Sequence, residues 1–181
     1  MKWICTIIYK KILGWKVSGQ FPELKQYVVI VAPHTSWHDF YMGILVRSVL
    51  SVKVNFVAKK ELFVFPLGWL FRALGGFPVD RTEGQNTVAN TVALFHQYPT
   101  FKLAIAPEGT RKKVEHWKTG FYHIAKMAKI PIIMVSFDYG KKEHRVSEPF
   151  YPSKNETIDF EQMHRFFESV TGKNPENFHI N

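Results

Sequence analysis

Two histidines and an aspartate crowd into one short stretch, His34-Thr35-Ser36-Trp37-His38-Asp39. The chemistry such residues can do is proton transfer. His34 and Asp39 are five positions apart, which on one continuous α-helix would set them about 140° from each other. They can meet only if His34 lies in a loop and Asp39 in the first turn of the helix that follows, a break that Pro33 favours. An aspartate bonded to one imidazole nitrogen fixes the tautomer and stabilises the imidazolium. The other nitrogen is then an oriented general base for a hydroxyl, a gain of about 10²–10⁴-fold. Rival readings attach to the same residues. His34 and His38 are four apart, as in metal sites, but the His-Glu-x-x-His glutamate and a third ligand are missing, so zinc is not expected. Ser36 lacks the Gly-x-Ser-x-Gly setting of a nucleophile. Asp39 alone would serve equally well as a helix cap.

A second group, Pro107-Glu108-Gly109-Thr110-Arg111, follows the apolar run Leu103-Ala104-Ile105-Ala106. Charges placed there are costly inside a core and sensible at the mouth of a site. Arg111 offers a bidentate fork for phosphate. Gly109 lets backbone amides approach a ligand or an oxyanion closely. The same residues would also make an ordinary turn with a salt bridge. A third group, Gly75-Gly76-Phe77-Pro78-Val79-Asp80-Arg81, sets Arg81 after a short strand, where it could contact an anion or pair with Asp80. Lys59 and Lys60 follow another strand-like run and add positive potential, or are simply solvated charges.

The elements that must position these groups can be read from hydrophobic pattern. Residues 27–32, 53–58, 77–79, 102–106 and 132–137 read as strands, being short, apolar and in part β-branched. Residues 38–49, 119–129 and 157–170 read as helices, with Phe40, Ile44, Leu45 and Leu50 as core candidates of the first. Residues 62–74 predict a short helix entered through a turn at Pro66. Thr82-Glu83-Gly84-Gln85 has capping-box spacing and opens a helix to about Tyr98. Strands alternating with helices predict an α/β fold, a single layered domain over residues 1–181 with a largely parallel central sheet flanked by helices. In such sheets ligands sit beyond the carboxyl ends of the strands, where both Pro33-His34 and Pro107-Glu108 fall.

Composition narrows the class. In 181 residues, 46% apolar and 22% charged content argues against disorder. The lone Cys5 excludes an internal disulfide and fits a reducing, cytoplasmic compartment. There are 24 Lys and Arg against 15 Asp and Glu, and the resulting +9 favours an acidic partner. No run reaches the roughly 20 apolar residues of a spanning helix. Residues 1–17, interrupted by Lys10, Lys11 and Lys16, do not read as a signal peptide. Trp3, Ile4, Ile7, Ile8, Ile12 and Trp15 recur at helical spacing, which fits a helix docked on the core or an interfacial helix on an anionic membrane surface. Phe63, Phe65, Trp69 and Phe71 likewise fit core packing, or an acyl groove or lipid contact.

Taken together and in this order, the motifs resemble those of the glycerolipid acyltransferase family, which contains the 1-acylglycerol-3-phosphate acyltransferases. His34-x4-Asp39 matches its first motif, Gly76-Phe77-Pro78-Val79-Asp80-Arg81 resembles the second, and Glu108-Gly109-Thr110-Arg111 matches the third in full. Ile130-Pro131-Ile132-Ile133-Met134-Val135 resembles the fourth, with Met134 where a proline is usual, a departure that bears on acyl-pocket shape. The resemblance covers roughly residues 27–140. It implies a glycerol-3-phosphate acyltransferase-like fold and transfer of a fatty acyl group from acyl-CoA or acyl-carrier protein to a lysophospholipid such as 1-acylglycerol-3-phosphate. It implies His34 as general base, Asp39 as its orienting partner, and no covalent acyl-enzyme. Arg81 and Arg111, helped by Lys59, would bind the acceptor phosphate, Glu108 would orient the acceptor or Arg111, backbone amides near Gly109 would meet the tetrahedral oxyanion, and Thr110 would be among the substrate-binding residues. No metal or redox cofactor is implied. The N-terminal part is short for a two-helix membrane module, so peripheral attachment to the membrane is expected.

Other classes fit less well. A nucleic-acid module would account for charge and aromatic content, yet the basic residues are dispersed and no RRM, KH or zinc-knuckle pattern occurs. A thioester hydrolase using the same His-Asp pair on water stays open, as does an acyltransferase acting on another lysolipid or alcohol.

Overall fold

In the computed structural model, residues 2–79 and 87–180 are described, and the side chains of Lys59 and Val79 are outside the described set. Seven strands form one sheet among these residues: β1 (Lys16–Ser18), β2 (Gln26–Ala32), β3 (Asn55–Lys59), β4 (Gly76–Val79), β5 (Phe101–Ile105), β6 (Ile132–Asp138) and β7 (Glu143–Val146). Their order is β1-β7-β6-β2-β5-β3-β4. The strands β6, β2, β5, β3 and β4 are mutually parallel. β7 turns back antiparallel to β6 and carries β1 parallel to itself. The expected largely parallel α/β sheet is therefore present, with a reversed edge that hydrophobic pattern does not announce. The two strands beyond β6, β1 and β7, are short, and β7 carries Glu143 and Arg145, so neither shows an apolar run.

Strand alternation divides the core between the two faces. In β2, Val28 and Ile30 face one side with Leu103 of β5, under α4 (Thr87–Gln97), α5 (Gly120–Ala128) and α6 (Glu156–Phe167). Tyr27 and Val29 face the other side with Ile133 and Val135 of β6, under α2 (His38–Val49) and the N-terminal segment. The remaining α-helices among the described residues are α1 (Lys2–Ile7) and α3 (Gly68–Ala73). Residues 80–86 lie outside the described residues, and with them the expected capping box; the helix after it is present as α4.

Two elements bury different residues from those expected. In α2 the buried apolar positions are Met42 and Val46, while Phe40, Ile44, Leu45 and Leu50 are only partly buried. The N-terminal segment continues past α1 as a π-helical turn (Ile8–Ile12) and docks through Tyr9 and Trp15, both buried. Trp3, Ile4 and Ile12 stay exposed, so only part of that segment packs on the core.

Candidate active site

Three adjacent parallel strands end on the same side of the sheet, and each delivers one residue to a common point. His34 follows β2, Glu108 follows β5 and Tyr139 follows β6. Asp39 enters from the first turn of α2. The break required between His34 and Asp39 is met: the loop 33–37 separates strand from helix, and His34 Nδ1 lies 3.2 Å from Asp39 Oδ2. The Asp39 side chain is 1% exposed and that of His34 is 23% exposed. Among the described residues, His34 Nε2 has no intramolecular hydrogen-bond partner.

Asp39 is held from several directions. The Ser36 N–H donates to Oδ2 at 2.9 Å and the Tyr139 hydroxyl donates to Oδ1 at 2.8 Å. The first of these ties down the chain entering the helix; Asp39 lies inside the first turn, the N-cap position is Trp37, and no side chain caps that end. Ser36 Oγ pairs with His38 Nδ1 at 2.8 Å. The two histidines of the motif thus have separate partners.

Glu108, nearly buried, accepts the His34 backbone N–H at 2.8 Å on Oε2 and at 3.1 Å on Oε1. Its contact is with the histidine loop rather than with Arg111. Burial pushes its pKa up to about 8; the His34 N–H bond opposes this and the nearby Asp39 charge adds to it. Gly109 sits at φ +67, so its backbone conformation calls for glycine; the nearest neighbour of a Cβ there would be the flexible end of the Lys118 side chain. Its own N–H is taken by the Ala106 carbonyl at 3.0 Å. The amides of Thr110 and Arg111 make no intramolecular hydrogen bond among the described residues. Thr110 is exposed and its Oγ1 accepts the Lys112 N–H at 3.3 Å. The exposed Arg111 lines the same cavity as His34 and Asp39.

That cavity measures about 510 Å³ and is mostly apolar. It lies between α2 and the sheet, walled by Phe40, Ile44, Phe56, Val135 and Phe137, among others. Here two expected core residues of α2, Phe40 and Ile44, find their place: they face a cavity instead of a packed interior. Arg47 also lines it and donates to the carbonyls of Val54 and Leu74 at 2.8 and 2.7 Å. Asp39 and Arg47 are eight residues apart on one helix, so the cavity extends about 12 Å along it from the histidine.

Of the other expected site residues, Arg81 lies outside the described residues, and of Lys59 only the backbone is described, at the end of β3 beside Val79. Two supports were not foreseen. Tyr139 stands 100 positions from Asp39. On the far side, Asn174 clamps Thr35 through N–H to Oγ1 at 3.1 Å and Nδ2–H to the carbonyl at 3.0 Å. Gly172 packs so close that a Cβ would lie 2.9 Å from Thr35 Oγ1. No sequence motif marks these contacts. The only signal available was the placement of Tyr139 at the carboxyl end of an expected strand.

A protein-family model described as "Acyltransferase" matches residues 15–138. The 1-acyl-sn-glycerol-3-phosphate acyltransferase of Saccharomyces cerevisiae is 29% identical over 138 residues, covering 71% of this chain and 45% of its own length. The human 1-acyl-sn-glycerol-3-phosphate acyltransferase beta is 28% identical over 136 residues, covering 72% and 48%. The chain thus spans a little under half the length of these curated relatives. The crystal structure of the 1-acyl-sn-glycerophosphate (LPA) acyltransferase PlsC from Thermotoga maritima matches with a TM-score of 0.62 at 21% identity, over 92% of this chain and 78% of that one. That likeness is one of fold.

Proposed function

Because the chain belongs to the acyltransferase family, we propose that it moves a fatty acyl group from an acyl-CoA or acyl-carrier-protein thioester to the hydroxyl of a lysophospholipid such as 1-acylglycerol-3-phosphate. The observation that carries this reading is the His34–Asp39 pair, 3.2 Å apart, at one end of an apolar cavity that also holds Arg111. A charge-oriented base beside an apolar cavity suits an acyl chain whose carbonyl must meet a hydroxyl.

His34 Nε2 takes the proton of the acceptor hydroxyl as its oxygen attacks the thioester carbonyl. Asp39, bonded at Nδ1, stabilises the imidazolium that forms. The tetrahedral oxyanion is met by backbone amides of the 109–111 turn, where those of Thr110 and Arg111 are unengaged. Collapse breaks the carbon–sulfur bond, and the imidazolium returns its proton to the departing thiolate. The base delivers the nucleophile directly, so no acyl-enzyme forms. Arg111 grips the acceptor phosphate, with Arg81 and Lys59 as further cations. Glu108 acts through the histidine loop that it holds. The acyl chain lies in the cavity along α2. The N-terminal segment and residues 62–70 place the protein peripherally on an anionic, cytoplasmic membrane face in phospholipid biosynthesis.

The test is His34→Ala assayed with a labelled acyl thioester, with and without lysophosphatidate. Loss of about 10³-fold or more in acceptor-dependent product, with an unchanged fold, is the expected result. Near-normal turnover in the variant would reject the base. Release of free fatty acid at the same rate without acceptor would make the protein a hydrolase.

A further inference from the structure

We propose that Tyr139 is a positioning residue for this site: its hydroxyl, set by a packed aromatic corner, holds the Asp39 carboxylate in the plane that presents Oδ2 to His34. The inference rests on the reading of His34 as the base. Asp39 Oδ2 has two neighbours, the Ser36 N–H at 2.9 Å and His34 Nδ1 at 3.2 Å. Both lie on one oxygen, and the terminal torsion of an aspartate is soft. The Tyr139 hydroxyl, 2.8 Å from Oδ1, anchors the other oxygen and removes that rotation. The same freedom in the carboxylate would otherwise carry Oδ2 away from the imidazole.

Tyr139 is itself well held. Its ring meets Trp15 edge-on at 4.9 Å, and the Lys173 ammonium lies 5.7 Å above it. Its N–H donates to the Thr171 carbonyl at 2.8 Å. Burial raises its hydroxyl pKa and the bond to Asp39 raises it further, so it remains a donor wherever the site works. The sheet order explains the arrangement. β2 lies between β5 and β6, so the pair is braced from both flanks: Glu108 holds the His34 amide and Tyr139 holds the Asp39 carboxylate.

Tyr139→Phe tests this, since it removes one oxygen and keeps the ring against Trp15. The first readout needs no activity: the titration of the His34 imidazole followed by NMR on the intact chain. Asp39 and Arg111 are the charged groups around it, and Glu108 is a titratable carboxyl that burial keeps protonated up to about pH 8. With Oδ2 free to turn away, the imidazolium loses part of its counter-charge, and the midpoint is expected to fall. The second readout is turnover with an acyl thioester and lysophosphatidate. We expect kcat to drop about tenfold with both KM values within about twofold. The same substitution added to Asp39→Asn should cost nothing further, because the residue acts through Asp39. A midpoint that stays or rises overturns the proposal, as does an undiminished kcat in an active enzyme. If the wild-type chain transfers no acyl group, the proposed function fails, and the titration still decides the role of Tyr139.

Discussion

Glu108 and His144 are buried groups that make stability depend on pH in opposite directions. The Glu108 carboxyl has its pKa raised from 4.5 to about 8, mainly by burial. Between those values the folded chain keeps a proton that the unfolded chain has released, so this group lowers stability as pH rises from 4.5 to 8. His144 sits against Tyr9, Trp15 and Phe137, and burial lowers its pKa from 6.5 to about 3. Tyr9 donates its one hydroxyl proton to the Lys16 carbonyl, so His144 Nδ1–H donates to Tyr9 and the unpartnered Nε2 carries only a lone pair. In that range the unfolded chain binds the extra proton, so His144 lowers stability as pH falls from 6.5 to 3. The two slopes cancel between pH 4.5 and 6.5. Thermal melts are expected to decline from pH 6.5 to 8, and Glu108→Gln, which keeps an acceptor for the His34 N–H, should flatten that decline. An equally steep decline in the variant would clear Glu108 of responsibility.

At the scale of the element, α2 does two jobs on neighbouring stripes. Met42 and Val46 pack into the core, Val46 also bordering the cavity, while Asp39, Gly43 and Arg47, each four residues apart, run along the cavity. Gly43 is the missing side chain that keeps the middle of that stripe open. A Cβ there would meet only Phe137 Cζ, at 3.6 Å, an ordinary contact. Gly43→Ala is therefore expected to raise stability by about 1 kcal/mol through helix propensity, measured by chemical denaturation. Gly43→Leu should fill the cavity and shift the donor profile toward shorter acyl chains. An unchanged chain-length profile for the leucine variant would place the acyl group elsewhere. The helix itself was legible in its sequence, but its buried face was not. Phe40 and Ile44 carry the same periodic signal as core residues, because an apolar cavity wall and an apolar core ask for the same side chains.

At the scale of the molecule, a +9 charge accompanies apolar side chains left in solvent. Phe65 is 94% exposed and Trp3 is 74% exposed, with Trp69, Leu67 and Ile12 also outward. Among the described residues no helix is long and apolar enough to cross a membrane. Aromatic side chains beside surface lysines suit an anionic interface. Phe65→Asp combined with Trp69→Asp is expected to lower sedimentation with phosphatidylglycerol-containing vesicles at least about tenfold, since each buries apolar area worth over 1 kcal/mol. The melting temperature should be unchanged. Binding that survives the double substitution would move the membrane face elsewhere. By itself, the sequence determined the alternation of strands and helices, the loop-then-helix break between His34 and Asp39, and the motifs that mark the family. These are encoded within a few neighbouring residues, through periodicity, proline placement and residue type. Only the tertiary structure decided that Tyr139 meets Asp39, that Glu108 meets the His34 amide, that Asn174 clamps Thr35, and that β7 reverses to bring Tyr9 against His144. Those partners lie far apart in the chain, and what joins them is the order in which strands pair, a choice made by the burial of whole faces and carried by no local pattern.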